Sequence, residues 1–229
     1  MIRLIIILSL ALSSCGSDEP GHGDQLSQEA GPCSKTETPV GDVSGLVFLI
    51  NSLSKPLSLE CLLSSLPGVI GLNATTSKLS VQPALSVHQP RVFLAMEDSL
   101  ILSIVPGTNS LELSEILDGE KSVKGELIFP IEDEIVESLP YLNVSDSLAG
   151  RKRCGSFCHK NAVELETIGG VRKYASDMIA PFPGENVTLE QLKQSESSCE
   201  DEEYCSTLRA IFSHEDVESY SFPDSVPTL

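Results

Sequence analysis

Residues 154 to 159 read Cys154-Gly155-Ser156-Phe157-Cys158-His159, two thiols and an imidazole within one short stretch. Those groups at that spacing can do a small number of things. The thiols can close a local disulfide, because a loop this short bridges readily outside a regular helix. They can instead add to the vinyl groups of a haem, leaving the His159 imidazole to ligate the iron. Zinc is disfavoured, since His159 is the only further ligand nearby and a tetrahedral site wants four. A redox dithiol of the thioredoxin kind wants Cys-x-x-Cys at the start of a helix in a βαβ unit, which is not the pattern here. Disulfide and haem both stay open.

A haem would take a second axial ligand, and Met178 and His214 are the two candidates in the carboxyl-terminal segment. Met178 precedes Ile179-Ala180-Pro181, a loop-like setting, and His214 ends an expected helix. Each also reads as an ordinary packing or surface residue, and a five-coordinate haem needs neither. Arg151, Lys152, Arg153, Lys160, Arg172 and Lys173 crowd the motif in an otherwise acidic chain. They could balance haem propionates or dock an acidic partner, or simply form a solvated basic loop.

Seven cysteines are present. Setting aside Cys15, discussed below, leaves an even number, as disulfide pairing in an oxidising compartment requires. The most economical pairing is Cys33–Cys61 and Cys199–Cys205, with Cys154–Cys158 as the third bridge if no haem is present. Cys199 and Cys205 flank Glu200-Asp201-Glu202-Glu203. No EF-hand spacing accompanies those carboxylates, so they suit the first turn of a stapled helix better than calcium.

Other chemistries find little support. There is no nucleophile elbow, phosphate-binding loop or His-Glu-x-x-His. The four histidines, at 22, 88, 159 and 214, leave little for acid–base work. Carboxylate pairs such as Glu132 and Glu134 read as strand surface. The formal net charge is −18, which disfavours nucleic acid and anionic lipid headgroups as partners. Three Asn-x-Ser/Thr sequons, at Asn73, Asn143 and Asn186, are read as chance. The balance is toward a protein without a catalytic site.

The elements that would position these groups follow from periodicity. Residues 16–41 are Gly, Ser, Pro and acidic residues, a tether expected to be tied down at its far end by Cys33. Val43 to Ile50 is a short apolar run, consistent with a buried strand. Leu57 to Leu66 has helical spacing and stops at Pro67-Gly68. Residues 69–136 read as strands: Val92, Leu94 and Met96 alternate, Glu97-Asp98 turns, and Leu100, Leu102 and Ile104 alternate back. Leu111–Leu117 and Ser122–Ile131 follow, with Val123, Gly125, Leu127 and Phe129 on one face. Such short strands suggest a β-sandwich. Residues 140–150 form a boundary. Beyond it, Thr188 with Gln191 makes a capping box, and Tyr204, Leu208, Ile211 and Phe212 share one face of a helix over 201–214. Gly169-Gly170 is a turn, and the tail from Phe222 to Pro227 is extended. The expected fold class is α+β: a signal segment (1–14), a tether (15–41), a β-rich domain (42–140) and a small, mainly helical, cysteine-rich domain (150–229).

The amino terminus fixes compartment. Arg3 supplies a positive start, Leu4 to Leu12 an apolar run too short to span a bilayer, and Leu12-Ser13-Ser14-Cys15 a cleavage site with small residues. This resembles the lipobox of bacterial lipoproteins. The resemblance implies cleavage before Cys15 and lipid on its sulfur, with palmitate among the acyl chains. Loss of Arg3 with the leader makes the chain one charge more acidic. Gly16 after the lipid cysteine is similar to enterobacterial outer-membrane sorting. Cys154 to His159, with one residue more than the common Cys-x-x-Cys-His, resembles a rarer haem attachment motif. Several stretches are similar to a loosely defined group of secreted bacterial lipoproteins with no established activity: Leu57-Ser58-Leu59-Glu60-Cys61-Leu62, Gln82-Pro83-Ala84, Pro90-Arg91-Val92-Phe93-Leu94, Lys124-Gly125-Glu126-Leu127-Ile128-Phe129-Pro130 and Phe157-Cys158-His159. The expectation is therefore a lipid-anchored envelope protein with a disulfide-stapled structural or binding role, and a c-type haem protein for electron transfer or redox sensing as the alternative. A protein or redox partner in the envelope is expected, and no nucleic acid.

Overall fold

Polar residues alternate with apolar ones along most strands of this chain, and that alternation builds a sheet with two unlike faces. The computed structural model describes residues 33, 35–37, 39–68, 70–76, 84, 86–96, 99–118, 120–148, 161–181 and 186–228. Two helices come first, α1 (Val43–Ser52) and α2 (Leu59–Ser65). Five strands follow: β1 (Ile70–Thr75), β2 (Arg91–Ala95), β3 (Leu100–Ile104), β4 (Ser110–Ile116) and β5 (Lys121–Ile128). After α3 (Leu139–Leu148) come β6 (Val163–Ile168), β7 (Val171–Asp177), α4 (Leu189–Ser198), α5 (Glu202–Phe212) and β8 (Val217–Ser219).

All eight strands join one sheet in the order β6-β7-β5-β4-β3-β2-β1-β8. The fold is thus α+β, but the expected two-layer sandwich is replaced by a single sheet. β7 pairs with β5, and β8 runs parallel to β1. The segment expected as a separate, mainly helical domain therefore supplies both sheet edges as well as α4 and α5. The hairpin turn between β6 and β7 is Gly169-Gly170, with φ of +56° and +83°, a conformation that side-chain-bearing residues resist. That glycine pair marks a hairpin which composition alone had hidden.

The inner face carries Leu72, Val92, Leu94, Leu102, Ile104, Leu111, Leu113, Val123 and Leu127, each at most 3% exposed. Helices cover it. The run Val43–Ile50, expected as a strand, is α1. The unbroken apolar run Leu46–Ile50 covers over the helical spacing of Val43, Leu46, Val47 and Ile50, and Asp42 caps the helix by accepting from the Gly45 N–H at 2.6 Å. Val43, Leu46, Val47, Leu49 and Ile50 are buried. Each such burial stabilises by roughly 1.5–3 kcal/mol. Glu115, projecting from β4, accepts from the Val43 N–H at 3.0 Å and fixes the helix entry. The boundary expected at 140–150 contains most of α3, which docks on β5 where Gly125 leaves room: a Cβ there would stand 3.1 Å from the Pro140 carbonyl oxygen. The capping box at Thr188 and Gln191 opens α4, and Tyr204, Leu208 and Ile211 turn the apolar face of α5 inward.

The tether is docked before its expected end. Thr36 donates its N–H to the Ser65 carbonyl at 3.1 Å, and Val40 is 1% exposed. The two pairs Cys33–Cys61 and Cys199–Cys205 are at bonding distance, 2.04 and 2.01 Å. Among the described residues no helix is long and apolar enough to cross a membrane.

Candidate functional site

The outer face of the sheet is where polar side chains converge. Cross-strand register sets Ser114 of β4 directly opposite Lys124 of β5, and Ser103 of β3 opposite Glu112 of β4. The Lys124 ammonium donates to Ser122 Oγ at 2.5 Å and Ser114 Oγ at 2.8 Å, and the two hydroxyls share a hydrogen bond at 3.0 Å. Arg91 of β2 donates to Ser103 Oγ at 2.6 Å, pairs with the Glu112 carboxylate and lies over the Phe93 ring. Ser122 and Ser176 are fully buried. Burial pushes the Lys124 amine down to about 8; the Glu112 carboxylate opposes that, the Arg91 guanidinium adds to it, and Asp177 opposes it.

A lysine of that kind beside two hydroxyls can hold or release a proton near neutral pH, the first requirement of a serine–lysine pair. Its geometry argues for a closed network instead. Ser122 has no exposed surface, and Ser114, Ser122 and Lys124 satisfy one another. Sequence reasoning passed over this cluster because it followed the apolar half of each strand. The signal was the other half: Glu112 and Ser114 on β4, and Ser122, Lys124 and Glu126 on β5.

The last residues of the chain strap this outer face. From β8 at one edge, Tyr220 donates its N–H to the Leu72 carbonyl at 2.8 Å. The Phe222 ring meets Phe93 edge-on at 5.5 Å, and Phe222 and Ile116 both pack on a small cluster of Met178, Ala180 and Val226. Beyond the end of β7, Val226 packs with Met178 and Ala180, and Ala180 donates its N–H to the Pro227 carbonyl at 2.8 Å. The tail read as extended thus crosses the sheet from β1 to the end of β7.

Cys15, Cys154, Cys158 and His159 lie outside the described residues, as do the turn at Glu97-Asp98 and the basic residues 151–153 and 160. The two proposed axial ligands fall in different places. His214 is 4% exposed and sits with its Nε2 2.7 Å from the Leu63 carbonyl oxygen, between α5 and α2. Burial lowers its pKa below the usual imidazole value, the Leu63 hydrogen bond opposes this, and Lys35 adds to it. Met178 follows β7 in the strap cluster, also 4% exposed. Asn161, just beyond the Cys-x-x-x-Cys-His motif, donates from Nδ2 to Asp177 Oδ2 at 2.7 Å. Lys121 donates to Asp177 Oδ1 at 3.0 Å and to the Asn161 carbonyl at 3.2 Å. Asn161 is therefore tied to Asp177, the residue before Met178.

No family model matches this chain, and neither the curated proteins nor the solved structures give a match.

Proposed function

We propose that this chain is a lipid-anchored protein of the bacterial cell envelope, held through acyl chains on Cys15, whose stapled body serves a binding or structural role without catalytic chemistry. The observation that carries the reading is the Cys33–Cys61 bridge, with its Cα atoms 5.1 Å apart. It fastens Cys33 to α2, close to where packing begins at Thr36 and Val40, as a body held by a tether at its amino-terminal end would need. An exported, oxidising compartment suits such a bridge. Acyl chains on one cysteine would anchor stably, while a net charge of −18 keeps the body from anionic headgroups and from nucleic acid. Gly16 favours the outer membrane.

A second reading keeps a covalent haem on Cys154 and Cys158, with His159 on the iron. Of the two further candidates, Met178 would suit the group better than His214, because Asn161, two residues beyond His159, is hydrogen-bonded to Asp177, the neighbour of Met178. Bound haem would supply one-electron chemistry. The chain's part would be to orient His159, exclude water around Met178 and balance the propionates with Arg172 and Lys173.

The test is fractionation of the native envelope with the natural chain and C15A. Movement of C15A, but not the natural chain, into the soluble fraction is the expected result. Equal distribution of both would sink the anchor. A reduced absorption spectrum on the same material decides the haem: a Soret band surviving acid–acetone extraction would replace the first reading with the second.

A further inference from the structure

The outward face of α1 carries an aromatic ring where a solvated helix carries polar groups. Phe48 is 66% exposed, between the exposed Ser44 and Ser52 one turn away on either side. Residues 132–137 run alongside. Ser44 Oγ donates to Glu137 Oε1 at 2.9 Å. Asn51 Nδ2 donates to the Ile135 carbonyl at 2.9 Å, and Ile135 returns its N–H to Asn51 Oδ1 at 2.9 Å. These bonds bracket Phe48 on the helix and Val136, 68% exposed, on the neighbouring segment, so both apolar side chains belong to one strip of surface. Asp42, Glu132, Asp133, Glu134 and Glu137 are all exposed around it. Lys55 stands at the carboxyl-terminal end of α1, donates to the Ile50 and Leu53 carbonyls and offsets part of the charge of Glu134, leaving Asp42, Glu132, Asp133 and Glu137 around the strip.

We infer that this strip is a docking surface for a partner protein that presents a cationic amphipathic segment: apolar side chains to cover Phe48 and Val136, flanked by lysine or arginine to meet the acidic rim. Charge decides between occupants. A second copy would bring two acidic rims face to face in a chain of net charge −18, and an anionic bilayer would be repelled. The hydrogen bonds to Ser44 and Asn51 preform the strip, so little ordering opposes binding. The inference rests on the reading of the chain as a binding module and specifies the partner's chemistry.

The chain contains no tryptophan, so F48W creates a single reporter at an exposed position. The full chain with F48W is titrated with a short, tryptophan-free amphipathic peptide of leucine and lysine and, separately, with phosphatidylcholine vesicles. A saturable blue shift with the peptide alone is expected. Calorimetry should then show affinity about tenfold weaker for F48S and for V136S, since losing one buried apolar anchor removes roughly 1.4 kcal/mol or more. Equal binding by the natural chain, F48S and V136S overturns the surface. So does a shift with vesicles instead of peptide, which makes the membrane the occupant, or a concentration-dependent dimer that F48S abolishes. Membrane retention of the natural chain, read on the same preparations, tests the anchor separately: failure of peptide binding with retention intact removes this surface only.

Discussion

Lys124 shows how one buried residue can make stability depend on pH. Its amine ionises at about 8 in the folded chain against 10.5 for an ordinary lysine, because burial disfavours the charged form. The unfolded chain then binds more protons between those values, so stability rises as pH climbs through that window and the full penalty is felt below it. The shift corresponds to an upper bound of about 3 kcal/mol, and the partial exposure of the side chain reduces it toward roughly 2 kcal/mol. Urea unfolding of the natural chain and K124M, compared from pH 7 to 10.5, should show the rise in the former and a flatter profile in the latter. Parallel profiles would mean that Lys124 is solvated like a surface lysine. His214 carries the same logic at lower pH. Its neutral form is favoured in the fold, so stability falls as pH drops below about 6.5. H214Q should soften that fall; an unchanged acid limb would assign it to other groups.

Staples and caps set how firmly each element is held. The longer bridge should matter more, because it removes more freedom from the unfolded chain. Chain-entropy arguments give about 3.5 kcal/mol for the Cys33–Cys61 loop, whose sequence separation is 28, and about 2 kcal/mol for Cys199–Cys205, separated by 6. Urea midpoints of C33A/C61A and C199A/C205A should fall in that order, and the reverse order would show that the Cys33 end of the tether contributes little. T188A should cost about 1 kcal/mol by removing the hydroxyl that accepts from the Gln191 N–H at 3.2 Å, while the backbone N–H at 188 keeps its bond to Gln191 Oε1. Elements with strong local signals were legible in the sequence for the same physical reasons. The β2–β3 hairpin alternates cleanly, α2 stops at Pro67-Gly68, α4 opens on the Thr188–Gln191 capping box, and α5 shows its apolar face in Tyr204, Leu208 and Ile211. Where local signal was weak, tertiary context decided. In α1 the unbroken apolar run Leu46–Ile50 hid the helical spacing of Val43, Leu46, Val47 and Ile50, and β6 alternates Val163 and Leu165 with Glu164 and Glu166 yet is exposed along most of its length.

At the scale of the whole molecule, the sheet and its strap bind distant parts of the sequence into one body. Nothing local in the last ten residues foretells that they cross the sheet from β1 to the end of β7, because the contacts of Phe222 with Phe93 and of Pro227 with Ala180 join residues far apart in the chain. A chain ending at Ser219 should lose Phe222 and Val226 from the outer face, cost roughly 3 kcal/mol or more, and bind a hydrophobic dye that the natural chain does not. Undiminished stability would make the strap decorative. The candidate site was less legible than the fold: the leader and the cysteine–histidine motif stand out as sequence, whereas the Lys124 network exists only once β4 and β5 are in register. The most direct test of the central claim is the intact mass of the protein purified from its native envelope. The account predicts a chain that begins at Cys15, carries acyl-lipid mass and lacks the hydrogens of its bridged cysteines, with no haem. A chain retaining its leader, or one without lipid, would contradict it.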